Sequence, residues 1–108
     1  MPQEPWEVRR YIDERGVCPI EDWLLKLDRK TQTRVEARLD RIVDGNFGDC
    51  KPIAEGLYEL RFFFGSGYRI YYAVVGRQIV ILLAGGDKKS QSKDIRMVKS
   101  LWNRFQAG

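Results

Sequence analysis

The chain contains no histidine. That removes the commonest acid–base side chain and the commonest zinc ligand, and so disfavours a His-paired nuclease, a Ser-His-Asp hydrolase and a zinc site. Cysteine is scarce: Cys18 and Cys50 lie far apart and form no CxxC pair, which reads as free thiols in a reducing compartment. No apolar run approaches the roughly 20 residues of a membrane span, and the opening MPQEPWEVRR lacks the apolar stretch of a signal peptide. The expectation is a cytoplasmic protein with no membrane partner, no metal and no cofactor. Any catalysis must rest on Lys, Arg, Tyr or carboxylates.

What is present fits one domain spanning residues 1–108. Hydrophobic residues make up 44%, charged residues 31% and aromatics 12%, a globular balance that argues against disorder. Nineteen basic against fifteen acidic side chains give a net charge of +4, which favours polyanionic partners.

The organising stretch is Gly56 to Lys89, GLYELRFFFGSGYRIYYAVVGRQIVILLAGGDKK. Tyr58, Leu60, Phe62 and Phe64 alternate with Glu59, Arg61 and Phe63; Tyr68, Ile70, Tyr72 and Val74 alternate with Arg69, Tyr71 and Ala73. Period two in aromatic and β-branched residues predicts half-buried strands. Gly65-Ser66-Gly67 suits a hairpin turn that pairs Phe64 with Tyr68, Phe62 with Ile70, Leu60 with Tyr72 and Arg61 with Tyr71. Gly76-Arg77 reads as a two-residue turn that pairs Val75 with Gln78, Tyr71 with Leu82 and Arg69 with Ala84. The third run, Ile79 to Ala84, is apolar on both faces and reads as the most buried strand.

Before this core, Trp6 to Ile12 reads as an opening edge strand, with charges that discourage edge-to-edge association. Pro19 and the acids after it predict a helix with a stripe of Ile20, Trp23, Leu24 and Leu27. Asp28 caps a second helix that runs to about Asp44, ended by Gly45 and Asn46, with Val35, Leu39, Ile42 and Val43 inward. Arg29, Lys30, Arg34, Arg38 and Arg41 share its outer side with Glu36, Asp40 and Asp44, as a solvated face or a partner surface. Phe47 to Glu55 reads as a loop carrying Lys51. Ser90 or Ser92 opens a last helix with Ile95, Val98, Leu101, Trp102 and Phe105 as its stripe. The order βααβββα predicts an α+β fold with a small, mostly antiparallel sheet packed against helices.

The hairpins bring Arg61, Arg69, Tyr71 and Lys88 to one side of the sheet. Guanidinium forks bind phosphate oxygens bidentately and tyrosine stacks on unpaired bases, so this set suits RNA. Promoting attack by the RNA's own 2′-hydroxyl needs positioning, cations around the phosphorane and proton movement at two oxygens. Arg61 and Arg69 fit the stabilising role, and Tyr71 or Lys88 the proton acceptor. An Arg–Tyr cross-strand pair is also a common structural contact.

The run LYELRFFFGSGYRIYYAVVGRQIVILLAGGDKKSQSKDI resembles the RelE/HigB superfamily of bacterial toxins, in its phage-related addiction module killer branch. The ELR strand, the GxGYRxYY hairpin and the GGDKxxQxxDI segment carry the likeness, together with WLxxL and RxxxRLxRIxxGNFGD in the helical part. The resemblance implies a microbial-ribonuclease-like fold, ribosome-dependent and metal-independent cleavage of messenger RNA, and neutralisation by an antitoxin of helix-turn-helix type. Matched residue by residue, it implies Arg61, Arg69, Tyr71 and Lys88 as catalytic, and Gln91 and Asp94 as fixing the loop and helix start. Lys89, Lys51, Arg77 and Lys93 are further RNA-binding cations. A related branch poisons DNA gyrase without cutting RNA, and a harmless RNA- or ribosome-binding module also fits the charge pattern.

Overall fold

The computed structural model describes residues 4–107. Its elements are β1 (Glu7–Arg10), α1 (Pro19–Lys26), α2 (Arg29–Ile42), β2 (Cys50–Ala54), β3 (Leu57–Arg61), β4 (Arg69–Val75), β5 (Ile79–Gly86) and α3 (Gln91–Ala107). They build one five-stranded sheet in the order β1-β5-β4-β3-β2, antiparallel throughout except that β1 lies parallel to β5.

Strand parity decides which helices cover which face. Leu60, Phe62, Ile70, Tyr72, Val80 and Leu82 point to one side and meet Ile20 and Leu24 of α1 and Val35, Leu39 and Ile42 of α2. Leu57, Tyr71, Ala73, Ile81, Leu83 and Ala84 point to the other and meet Val98 and Trp102 of α3. Pro19 fills the first turn of α1, with Glu21 and Asp22 at its positive end. The Asp28 carboxylate accepts the Thr31 amide proton at 2.8 Å and so starts α2. The last strand is squeezed between the layers where it ends. A Cβ on Gly85 would collide with the Trp23 ring, and one on Gly86 would displace the Asp94 carboxylate, so Gly85 admits no side chain without moving that ring.

Four expectations need correction. The segment Phe47 to Glu55 is not all loop: β2 occupies Cys50–Ala54, so the order is βααββββα. CKPIA carries no alternation because all but Ile53 are exposed, and as an edge strand it tolerates Pro52. In the first hairpin the register is Leu60 with Ile70, Glu59 with Tyr71 and Arg61 with Arg69, two residues from the expected one. Phe62 donates to the Tyr68 carbonyl at 3.0 Å and closes a wider loop, in which Phe63 is 82% exposed. The slip is even, so every side chain keeps its expected face.

In the second hairpin Val75 pairs with Ile79, leaving a three-residue turn, and Tyr72 rather than Tyr71 faces Leu82. This register puts like with like, as Tyr72 and Leu82 belong to one core and Ala73 and Ile81 to the other. An irregularity then inserts Leu83, so that Ala84 faces Tyr71 and Gly86 faces Arg69. The fourth correction concerns the second helix, which ends at Ile42 and leaves Val43 exposed rather than inward.

Candidate functional site

The open end of the sheet, where β3 finishes and β4 begins, lies beside the N-terminus of α3. On β3 the residues Leu57, Glu59 and Arg61 share the face that α3 covers, since Tyr58, Leu60 and Phe62 take the other. Arg61 and Arg69 are direct cross-strand partners. Two cations so placed repel each other unless each is neutralised.

Each arginine has its own carboxylate, supplied by a different part of the chain. Asp49, just before β2, grips Arg61 with two bonds, Nε to Oδ2 at 3.0 Å and Nη2 to Oδ1 at 3.3 Å. That pairing raises the Arg61 pKa above the ordinary guanidinium value. Glu59 stands 3.2 Å from Arg69 Nε, and the Gly67 carbonyl accepts from Arg69 Nη1 at 2.6 Å. Glu59 is the one buried charged residue among those described, at 1% exposure. Gln91, the first residue of α3, donates its amide to Glu59 Oε1 at 2.7 Å. The helix start is thereby fastened to the sheet at the site. Arg61 Nη1 and Arg69 Nη2 have no hydrogen-bond partner among the described residues, and the buried Arg69 Nε faces Glu59 without a well-formed hydrogen bond; Arg61 is more than a third exposed, Arg69 only 14%.

Lys88 arrives from β5. Its backbone N–H meets the Ser66 carbonyl at 3.4 Å, and a Cβ on Gly67 would lie 3.4 Å from the Lys88 Cβ and 3.3 Å from Arg69 Nη1, so the three residues pack at one place. The side chain is exposed, as is that of Lys89. The turn behind them is locked by Asp87, which accepts the Ser90 amide at 3.1 Å, and by Ser90 Oγ, which donates to Asp94 at 2.5 Å. Ser90 is thus the residue that opens α3, and Gln91 and Asp94 both bear on the site's frame.

Tyr71 shares the face but not the surface. It is fully buried between Glu59 and α3, and its hydroxyl has no well-formed hydrogen bond. Burial first, then the negative charges of Glu59 and Asp94, hold its proton more tightly than an ordinary phenol's. The expectation of Tyr71 as an accessible base is therefore corrected, because the wider hairpin loop shifts the register and sets Tyr71 against Glu59 beneath the helix. Among the other expected cations, Lys51 faces Glu59 across β2 and β3 and is exposed on the site's side of the sheet. Lys93 is exposed in the first turn of α3. Arg77 lies in the β4–β5 turn, at the far end of a seven-residue strand from Arg69 and about 20 Å away. It does not belong to this cluster.

Sequence reading missed the two carboxylates. Glu59 sits two residues before Arg61 and so must share its face, a signal the period carries; Asp49 lies in a segment read as loop and gave none. A third missed contact is Arg38 of α2, which donates to the Arg61 carbonyl and to Asp49 O at 2.8 Å. Desolvation by burial lowers the pKa of that guanidinium. Among the described residues no group of three or more Cys, Asp or Glu side chains converges as a metal site requires, and no helix is long and apolar enough to cross a membrane.

The fold is that of RelE-type toxins. The E. coli toxin RelE, as a mutant in its free state, superposes with a TM-score of 0.63 over 89% of this chain and 97% of that one, at 17% identity. The chain belongs to the family of phage-derived Gp49-like proteins, whose match runs over residues 22–105. An uncharacterized protein of Haemophilus influenzae is 44% identical over 91 residues, covering 83% of this chain and 92% of that protein. Together these establish the family and the fold.

Proposed function

We propose that the protein is the toxin of a toxin–antitoxin pair and acts as a ribosome-dependent, metal-independent endoribonuclease on messenger RNA. The observation that supports this reading is the side-by-side pair Arg61 and Arg69, each faced by a carboxylate at Nε and each keeping one Nη group without a partner among the described residues, with Lys88 near Arg69 at Gly67. The free edges of the two guanidiniums offer N–H groups to the non-bridging oxygens of a phosphate, where charge grows in the phosphorane. The nucleophile is the RNA 2′-hydroxyl. As its oxygen bonds to phosphorus, its proton leaves, the bond to the 5′-oxygen breaks, and that oxygen takes up a proton. The products are a 2′,3′-cyclic phosphate and a 5′-hydroxyl end. Lys88 is the exposed side chain of the cluster able to move a proton, since arginine does not titrate in this range. Tyr71 supports the site from below by packing against α3. Lys51, Lys89 and Lys93 extend the positive surface along the same side, and Arg77 is left to a remote phosphate. A helix-turn-helix antitoxin would neutralise the toxin by laying acidic side chains over these cations.

Inducing the gene alone and mapping RNA 5′ ends tests this. Cut transcripts with 5′-hydroxyl ends should appear, and co-expression of the adjacent partner should suppress them. Arg61→Ala with Arg69→Ala should abolish cutting in a protein that still folds. Full cutting by that double variant, or growth arrest with intact RNA and a DNA-damage response, would refute the assignment.

A further inference from the structure

Phe63 is the most exposed large hydrophobic side chain of the described residues, at 82%, early in the loop between β3 and β4. A lone exposed ring needs no explanation. This one stands in a groove of about 310 Å³ lined by Phe62, Phe63, Phe64, Arg34, Arg38 and Arg41, with Ala37 beneath and no acidic side chain. Two of the arginines lie over aromatic faces: Arg34 Cζ is 3.8 Å from the Phe64 centroid and Arg38 Cζ 4.6 Å from that of Phe62. Stacking fixes the planes of long side chains that would otherwise be mobile. Arg34 and Arg41 form no ion pair among the described residues, so their charge faces solvent.

We infer that this groove is a single-stranded RNA subsite in which Phe63 stacks on one unpaired base while Arg34 and Arg41 hold the flanking phosphates. An uncovered ring beside unpaired guanidiniums is the combination that binds single strands, the ring taking any base and the cations tracking the backbone. The volume lies at the low end for ligand sites, roughly 300–1,000 Å³, enough for one nucleotide but cramped for the face of a partner helix. The groove also borders the proposed cleavage site. Arg38, stacked on Phe62, donates to the carbonyl of Arg61, so the two surfaces meet at one end of β3 on opposite faces of the sheet. A strand crossing the 62–68 loop touches both. The inference rests on the reading of the protein as an RNA-directed toxin, and it adds the residues that grip RNA outside the cleavage site.

Binding of a short fluorescent 2′-O-methyl RNA, which lacks the nucleophilic hydroxyl, measures the subsite independently of cleavage. Phe63→Ala should weaken binding by about tenfold, Phe63→Trp should restore it, and an abasic strand of the same length should not distinguish Phe63→Ala from the parent protein. Arg34→Gln with Arg41→Gln should reduce the salt slope of log affinity by about 1.4. A second arm uses ribosomes stripped of message. Loss there with unchanged oligonucleotide binding assigns the stacked base to ribosomal RNA, and loss on the oligonucleotide assigns it to the message. If Phe63→Ala leaves both unchanged, or weakens only capture of the antitoxin, the inference is overturned. Intact binding without cut transcripts would instead remove the nuclease reading and leave the subsite standing.

Discussion

Removing the carboxylate of Glu59 tests the frame of the site most directly. The Glu59 side chain is 2% exposed and that of Arg69 14%, so the pair lies out of reach of most solvent. Taking one partner from a buried pair strands the other and costs about 3–5 kcal/mol. Arg69 keeps its 2.6 Å bond to the Gly67 carbonyl and some contact with water, which places Glu59→Ala near the lower end. At about 3 kcal/mol, and with a urea m-value of about 1.5 kcal/mol/M, the unfolding midpoint should fall by about 2 M. The melting temperature should fall by roughly 15 °C. Trp23 packs against one core and Trp102 within the other, so intrinsic fluorescence reports on both faces of the sheet. Glu59→Gln keeps an acceptor for Gln91 and loses only the charge, and about half that effect is expected. A double-mutant cycle with Arg69→Ala should give a coupling of about 1–3 kcal/mol. If Glu59→Ala unfolds at the parent midpoint, or if the double variant equals the sum of the single ones, the two groups are not a buried pair and the reasoning fails.

Two further outcomes follow from groups near by and far away. Tyr71→Phe deletes a buried hydroxyl without a good partner, so stability should hold or rise by about 1 kcal/mol, and RNA cutting should persist; a collapse of cutting at unchanged stability would make Tyr71 a participant in the chemistry. The Thr31 amide holds the Asp28 carboxylate below its usual pKa of 3.8, so the ionised form favours the folded state. That contribution is present above the unfolded value and lost as pH falls through the lower folded one. Asp28→Ala should therefore unfold at lower urea than the parent at pH 7, and melts repeated at falling pH should show the gap narrowing below about pH 3.8.

Much of this arrangement was legible in the sequence, and what was not has identifiable physical causes. Period two in the runs after Gly56 and period 3.6 in the helices assigned every side chain of β3 and β4 to its correct face, because burial on both sides of a sheet leaves no freedom of parity. The pairing itself was not legible. The loop after Phe62 contains residues as apolar as those of a strand, and three consecutive phenylalanines give no sign that the middle one faces water. β2 was hidden for the opposite reason: an edge strand with four exposed residues out of five has no hydrophobic pattern to display. Tyr71 was misread because its place depends on the register of two hairpins and on the docking of α3. The motif that resembles known toxins pointed to Arg61, Arg69 and Lys88, which the fold brings near one another, yet Asp49 comes from a segment that no local pattern connects to Arg61.

The carboxylates explain how the chain tolerates two arginines face to face, and they set what the site can do next. Asp49 holds Arg61 by two hydrogen bonds, and Glu59 stands against Arg69 Nε while the Gly67 carbonyl accepts from its Nη1, so each guanidinium is restrained in place. A free arginine would have to lose its mobility when a phosphate arrived; these two are restrained on folding, so in the proposed reaction less of the gain on meeting the phosphorane would be spent on ordering side chains. Lys88 stands beside these two ion pairs with its side chain exposed, while Asp87 and Asp94 are engaged with Ser90 in the turn that opens α3. In the proposed reaction the exposed lysines around the rim would add to the arginines in meeting the charge that develops in the phosphorane, so Lys51 and Lys89 should influence cutting more than they influence ground-state binding.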